Sequence, residues 1–406
     1  MKITGMRATP VAVPMNINIT DAYMRTGPAV MQAVALEIYT DEGITGVAEV
    51  PVVYGATMSQ TMMMSMEKLI VGRDPADVNV LLKELYCHYN LNHLHPHAAN
   101  WAVNSVERAL WDILGQKAGM PLYQLWGGAF RKEIPFYGFI ESEDLDEIKK
   151  VAKERAEQGY KVLYTKCGFS TPEFDVEMVK AIREAVPDPS VKIRVDPNQA
   201  WTVGEAISVI NQMEPYGMDC IDQPVMMYDL DGLKQVRNST RVPIAAHESG
   251  WTMHDILRIV KEGAADAIHI DPHFDYGYYG ARISAGIAEA AGIPVICHAW
   301  YELGVGLTER MQIIAACPAF TMAHQTCEYD YLSDDIIKGG KYDIRDGKLP
   351  LPTRPGLGVE LDLDKVAKYN EVYIKQVKEA GYENGAESPL YGAMYTRRYL
   401  KDLYSK

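Results

Sequence analysis

The sequence predicts an α/β protein, a TIM-type (β/α) barrel with an N-terminal α+β capping domain. The chain has 406 residues, more than one small core requires. Alternating β-like stretches followed by helical ones occupy residues 1–128. From residue 129 a short apolar run, a polar loop and a capped helix recur about eight times, at roughly 25 to 30 residues per repeat, as a closed parallel barrel requires.

These patterns predict three regions. We expect an N-terminal α+β cap over residues 1–128, a barrel over 129–330, and a C-terminal segment over 331–406 that packs back on the cap. In the cap, RATPVAVPM and AVALEIYT alternate as strands do, and the helical stretch NWAVNSVERALWDILGQKAG stops at Gly119, with Pro121 just beyond. An open, doubly wound sheet is the alternative fold.

The barrel strands are predicted from eight apolar runs. In chain order they are IPFYGFI, VLYTK, VKIRVD, MDCID, VPIAA, DAIHID, IPVICH and the stretch that ends in CEYD. The helices between them have readable ends. Thr202 and Glu205 form a capping box, and Gly292 ends the helix before the seventh strand.

Composition excludes several classes of partner. The net charge is -14 and there is no Lys/Arg-rich block, so we expect no nucleic-acid partner. The first residues, MKITGMRATPVAVPM, show neither an apolar span of membrane length nor the pattern of a secretory signal peptide. We therefore expect a soluble cytoplasmic protein without a membrane partner. The six cysteines are scattered without a CxxC pair and are expected to be reduced thiols.

Ionisable residues close seven of the eight predicted strands. In a barrel the carboxyl ends of the strands converge on one mouth. One such residue alone is more often a helix cap or a turn former, but so many at successive strand ends carry a desolvation cost unless they pair or bind a metal. In strand order they are Lys166, Asp196, Asp222, the pair His247 and Glu248, Asp271, His298 and Glu328.

Adjacent strands three to five predict a metal site. Asp196, Asp222 and a side chain of the His247–Glu248 pair would present mainly oxygen ligands, which suit a hard divalent ion, and Mg²⁺ is the first choice. Whether His247 or Glu248 is the third ligand stays open.

Strands six, seven and two predict acid/base groups. Asp271 can hold the tautomer of His298 and raise its basicity, which makes a general acid/base dyad. Lys166 lies beside the predicted metal, whose charge would favour the neutral amine and make it a second base.

The chain resembles the enolase superfamily, and within it the mandelate racemase and glucarate dehydratase subgroups. The resemblance extends over nearly the whole chain. Its motifs are LYTKCG, VDPNQAW, IDQP, PIAAHES, IDPHFDYGYYG, PVICHAW, CEYD and PGLGVELD. Muconate-lactonising relatives carry a lysine on strand six, and this chain has none there.

The resemblance implies removal of the α-proton of a small carboxylate substrate, with Mg²⁺ stabilising the resulting enediolate. It implies that Glu328 bonds the substrate carboxylate and Asn198 contacts substrate. Tyr164 replaces the outer lysine of a common Lys-x-Lys pair, the cation that would polarise the substrate carboxylate, and is expected to bind substrate by donating a hydrogen bond instead. Arg25 is a candidate for closing over the far end of the substrate, and a homo-oligomer is expected.

Dehydration of an acid sugar is the leading hypothesis, because the IDPHF stretch resembles glucarate-type dehydratases. A racemase or epimerase, or a lactone cycloisomerase, is the alternative, because two bases on opposite faces are what inversion requires. A third hypothesis is a barrel that has lost catalysis. It is based on Tyr164, Asp222 and His247, which depart from the residues that the family usually has at these positions.

Overall fold

The computed structural model describes residues 1–16, 29–51, 55–89, 91, 99–274, 276–326 and 329–381. Two of the predicted site residues, Arg25 and Glu328, lie outside the described residues.

The N-terminal region is a three-stranded antiparallel sheet covered by helices. Its elements are β1 (Ile3–Pro14), β2 (Val30–Thr40), β3 (Thr45–Pro51), α1 (Ala56–Ser65), α2 (Glu67–Ile70), α3 (Val78–His88), α4 (Ala99–Ala118) and α5 (Leu122–Leu125). Alternate residues of this sheet enter different cores. Val11 and Ala33 belong to the core shared with the barrel, whereas Ala12 and Val34 face the cap helices. Both faces of the sheet are therefore buried.

The second region is a parallel sheet with helices outside it. After β4 (Glu133–Pro135), its strands are β5 (Gly138–Ile140), β6 (Val162–Lys166), β7 (Lys192–Asp196), β8 (Met218–Asp222), β9 (Ile244–Ala246), β10 (Ala267–Ile270) and β11 (Val295–Cys297). The helices are α6 (Leu145–Glu157), α7 (Pro172–Ala185), α8 (Val203–Met213), α9 (Leu230–Ser239), α10 (Met253–Glu262), α11 (Gly277–Ala291) and α12 (Gly304–Ala316). Neighbouring strands pair in chain order from β5 to β11, which is the arrangement of a (β/α) barrel.

The barrel closes through the segment around His324. Its backbone N–H donates to Pro135 O (2.9 Å) and its carbonyl accepts from Tyr137 N–H (3.0 Å). The next residue donates its N–H to Cys297 O (3.1 Å), so the segment joins the last strand to the first. In the described part of the chain this eighth position is an isolated bridge between Phe136 and His324, and not the regular strand that the sequence predicts.

The predicted first strand, IPFYGFI, is divided between two sheets. β4 pairs antiparallel with β12 (Lys348–Pro350), and only β5 enters the barrel. Beyond β12, α13 (Leu363–Val372) packs on the cap sheet, where Asn370 Nδ2 donates to Pro10 O (2.7 Å). The C-terminal segment thus touches both the barrel and the cap.

Local predictions of helix ends are confirmed. Thr202 and Glu205 form the reciprocal bonds of a capping box, and Gly119 and Gly292 have φ values of 71° and 68° where helices α4 and α11 end. No helix in the described residues is long and apolar enough to cross a membrane.

Candidate active site

The strand register brings the polar strand ends together. Lys166 is directly opposite Asp196 in the β6–β7 pair, and Asp222 is opposite Ala245 in the β8–β9 pair. His247, Asp271 and His298 follow β9, β10 and β11, respectively, by one position, so all of them lie at the carboxyl end of the sheet. In-register parallel pairing is the reason that residues distant in sequence meet here.

Lys166 is held by two partners on the neighbouring strand end. Its Nζ lies 2.6 Å from Asp196 Oδ2 and 2.7 Å from Asn198 Oδ1. Asn198 has a left-handed φ of 42°, a conformation that asparagine tolerates, and its N–H donates to Asp196 Oδ1 (2.8 Å). The side chain of Asn198 is turned toward Lys166 as a result.

Tyr164 bonds a carboxylate of the protein, whereas its predicted role of binding the substrate carboxylate stays a prediction. Its hydroxyl donates to Asp196 Oδ2 (2.8 Å), and its ring stacks on Tyr137 inside the barrel (4.5 Å between centroids). Burial and the Asp196 charge raise the pKa of Tyr164 well above its usual range, so the phenol stays a donor. Burial opposes ionisation of Asp196, but Lys166 and His247 outweigh it and hold the pKa of Asp196 well below its usual range.

Asp222 has a neighbour that sequence reasoning missed. His269 Nε2 lies 3.1 Å from Asp222 Oδ1, and both side chains are almost fully buried. Burial lowers the pKa of His269 to about 4 despite the Asp222 charge, so His269 is neutral near pH 7. The period of two in AIHID places His269 on the same face as Asp271, and this was the available signal.

His247 lies between the two sides of the site. Its Nδ1 is 3.7 Å from Asp196 Oδ2 and 3.5 Å from Glu248 Oε2. Its ring stacks on His269 (4.4 Å between centroids) and is tilted against His298 at 4.5 Å. Burial lowers the pKa of His247, but Glu248 and Asp196 outweigh it, and the pKa is raised overall.

His298 and Asp271 form a close dyad. His298 Nδ1 lies 2.8 Å from Asp271 Oδ2, and His298 is only 2% exposed. Burial, with the nearby His247, lowers the pKa of His298 to about 3 against the opposing effect of Asp271. The imidazole is therefore neutral near pH 7, and its Nε2 is the nitrogen left to accept a proton.

Aromatic side chains enclose the dyad. The rings of Trp251, Phe274 and Trp300 lie 5.5, 5.8 and 5.9 Å from the His298 ring, centroid to centroid. Such a wall excludes water and lowers the local dielectric, which strengthens the electrostatic interactions of the groups inside.

Family comparisons cover both regions of the fold. A model of the mandelate racemase / muconate lactonizing enzyme N-terminal domain matches residues 6–127, and an enolase C-terminal domain-like model matches residues 147–366. The chain belongs to the mandelate racemase / muconate lactonizing enzyme subgroup of the enolase superfamily. Like the relatives below, it is an enzyme.

Relatives in this superfamily catalyse several reactions. The chain is 30% identical over 335 residues to an arabinonate dehydratase of Saccharolobus solfataricus, covering 81% of this chain and 88% of the relative. It is also 30% identical to a hydrophobic dipeptide epimerase of Enterococcus faecalis, covering 80% of this chain and 90% of the relative. A dipeptide epimerase of Cytophaga hutchinsonii, solved with Mg and the dipeptide D-Ala-L-Val, shares the fold with a TM-score of 0.83 at 22% identity, over 91% of this chain and 98% of that one.

The side chains of Asp222, His247 and Glu248 have the chemistry of ligands for a divalent cation. Within the described residues, Asp222 Oδ2, Glu248 Oε2 and both ring nitrogens of His247 are buried without a hydrogen-bond partner. A buried acceptor left unpaired is costly, and a cation would satisfy it. The same described residues contain no group of three or more His, Cys, Asp or Glu side chains that converges as a formed metal cage does.

Proposed function

We propose that this enzyme is a Mg²⁺-dependent dehydratase of acid sugars. The observation that carries the proposal is the His298–Asp271 dyad, in which His298 Nδ1 lies 2.8 Å from Asp271 Oδ2. The His298 ring contacts the ring of His247, whose nitrogens are among the buried atoms without a hydrogen-bond partner that a cation would satisfy. The similarity to an arabinonate dehydratase over 81% of the chain supports the choice of an aldonate as substrate.

Asp196, Asp222 and Glu248 would hold the cation, with His247 as an alternative nitrogen ligand. When bound, Mg²⁺ would supply positive charge that stabilises the negative charge developing on the substrate carboxylate. Asn198 donates from Nδ2 to Glu248 Oε1 (2.8 Å), so it would orient Glu248 in the absence of substrate.

The protein's own groups account for the proton movements. Asp271 keeps a proton on His298 Nδ1, so Nε2 would accept the α-proton while the C–H electron pair moves into the carboxylate. The β-carbon–oxygen bond then breaks, and the hydroxyl leaves as water with a proton from the His298 imidazolium. The remaining enol tautomerises to a 2-keto-3-deoxy acid.

Lys166 would be the second acid/base group. Its ammonium is held by Asp196 and Asn198 at hydrogen-bond distance, so its position is defined before substrate binds. In this proposal it faces the substrate from the side of the barrel that carries β6 and β7, and Tyr164 keeps Asp196 oriented beneath it.

The test is a product assay. Purified protein with MgCl₂ is incubated with both enantiomers of arabinonate and then with a panel of other aldonates and aldarates. We expect a 2-keto-3-deoxy acid from at least one of them, with activity lost in His298→Asn and retained in the surface control Asp343→Asn. If no acid in the panel yields a keto-deoxy product, dehydration is the wrong reaction.

Epimerisation is the second candidate, because relatives of similar identity are epimerases. Two acid/base groups, Lys166 and His298, are what removal and return of a proton on opposite faces require. Incorporation of deuterium from D₂O at the α-carbon without loss of water would select epimerisation. Dipeptides belong in that assay alongside the acid sugars.

A further inference from the structure

A second histidine contacts the dyad carboxylate from the side opposite His298. His273 is fully buried, and its Nδ1 lies 2.7 Å from Asp271 Oδ1. Its backbone N–H donates to the same oxygen (2.8 Å). Each oxygen of Asp271 therefore has its own imidazole, with Oδ1 bonded to His273 and Oδ2 to His298.

His273 is in turn held by a buried carboxylate of α12. Its Nε2 lies 3.0 Å from Glu309 Oε2, which is also 3.1 Å from Arg108 Nε of cap helix α4. The other Glu309 oxygen accepts from Glu49 N–H (3.1 Å), and Arg108 Nη2 donates to Glu49 O (2.6 Å). A continuous series of contacts thus runs from the cap domain to His298.

This series constrains how the Asp271 carboxylate can rotate. Two donors from His273 converge on Oδ1, so turning the carboxylate would break both of them at a place where the side chains of His273 and Asp271 are fully buried. Holding Oδ1 leaves Oδ2 aimed at His298 Nδ1, and that bond in turn sets the direction of the imidazole ring.

The protonation of His273 is consistent with donation in both directions. Burial and the Arg108 charge lower the pKa of His273, but Asp271 and Glu309 outweigh them and the pKa is raised overall. An imidazolium donates from both ring nitrogens, which matches a carboxylate on each side.

We propose that His273, anchored by Glu309 and Arg108, is a positioning residue that orients the Asp271–His298 dyad. The kinetic consequence depends on the proposed function, since it needs His298 to exchange a proton with substrate. The structural consequence, a fixed His298–Asp271 hydrogen bond, does not depend on it.

Two substitutions at His273 separate positioning from simple packing. Asparagine places its amide nitrogen near the former Nδ1, so His273→Asn keeps a donor toward Asp271. Glutamine places it near the former Nε2, so His273→Gln keeps the contact with Glu309 and loses the donor to Asp271. Both side chains are smaller than imidazole, so a packing role predicts losses that follow the missing volume.

The first readout is proton NMR of the protein without substrate. Wild type should show downfield imidazole N–H signals protected from exchange, and His298→Asn assigns the one from His298. We expect that signal to persist in His273→Asn and to shift or broaden in His273→Gln. An unchanged His298 signal in His273→Gln would overturn the proposal.

The second readout is kinetic, on an acid that the wild-type enzyme converts. We expect kcat to fall about 10- to 100-fold in His273→Gln, as for residues that orient functional ligands, with KM unchanged because His273 does not touch substrate. His273→Asn should stay within about threefold of wild type. Equal losses in the two variants, or a change in KM alone, would contradict positioning. If wild type converts none of the acids, the proposed function fails while the NMR result still decides this inference. If neither variant folds, Glu309→Gln carries the same NMR test, and an unaltered His298 signal there counts against the proposal.

Discussion

Replacing Asp271 with asparagine isolates the contribution of the dyad. Two donors, the backbone N–H and Nδ1 of His273, point at Oδ1 at 2.8 and 2.7 Å, so the amide oxygen should take that side. The amide nitrogen then faces His298 Nδ1, at the present 2.8 Å position of Oδ2. Since both groups would be donors there, His298 must move its proton to Nε2, the atom that accepts the substrate proton in our proposal.

The loss of rate in Asp271→Asn should equal the loss expected when a general acid/base group is removed. Such groups contribute about 10²- to 10⁴-fold, or roughly 3 to 5 kcal/mol of transition-state stabilisation. The assay is the rate of α-proton exchange and of turnover with Mg²⁺ on an acid that wild type converts, with KM measured separately. Because the two residues act as a unit, Asp271→Asn/His298→Asn should be no slower than His298→Asn alone.

Either of two results would contradict this role of Asp271. One is an Asp271→Asn enzyme whose kcat stays within about threefold of wild type. The other is a ¹⁵N NMR spectrum in which His298 of that variant still carries its proton on Nδ1. The exposed Asp343→Asn is the matched control for the chemical change and should leave both readouts unaltered.

Three further predictions concern packing, pH and metal. Gly46→Ala should destabilise the fold by about 1–3 kcal/mol in urea unfolding, because the added Cβ would lie 2.2 Å from Ala109 O. Gly204 lies in a helix and has open space around it, so Gly204→Ala should be neutral or stabilising, and equal effects of the two substitutions would contradict the close approach at Gly46. Burial raises the pKa of Glu107 to about 7 from 4.5, so the stability that its protonated form contributes is present below pH 4.5 and is lost as pH rises to 7. Glu107→Gln should therefore flatten the dependence of unfolding free energy on pH in this range by up to about 3 kcal/mol. An unflattened dependence would show that the carboxyl ionises freely in the folded state. Asp222→Asn should weaken Mg²⁺ binding about tenfold or more in calorimetry, and an unchanged affinity would remove Asp222 from the metal position.

The barrel was predictable because its signals are local. Apolar runs of strand length, helix caps and glycine stops depend on residues only a few positions apart, and the capping box at Thr202 and the stop at Gly292 are present as expected. The two departures are also instructive. IPFYGFI divides between two sheets because β12, more than two hundred residues later, pairs with its first part. The eighth position of the barrel is closed by an isolated β-bridge at His324, and no local sequence pattern specifies that bridge.

Part of the candidate site was predictable for a geometric reason. Parallel strands in register bring their ends to one edge, so Lys166, Asp196, Asp222, Asp271 and His298 could be expected together from their positions alone. The roles assigned to them remain predictions. The place of Tyr164 was predictable in the same way at shorter range. It comes two residues before Lys166 on the same strand, so both side chains lie on the same face of the sheet.

The sequence by itself determined the strand–helix alternation, the family and which ionisable groups stand at the carboxyl ends of strands β6 to β11. Only the tertiary structure decided which of those groups touch, and it added His269, His273, Glu309 and Arg108 to them. The physical reason is the range of the forces involved. Periodicity and capping act between near neighbours in the chain, whereas a buried charge needs a partner that any distant segment can supply, and Arg108 reaches Glu309 across two hundred residues and from a different domain.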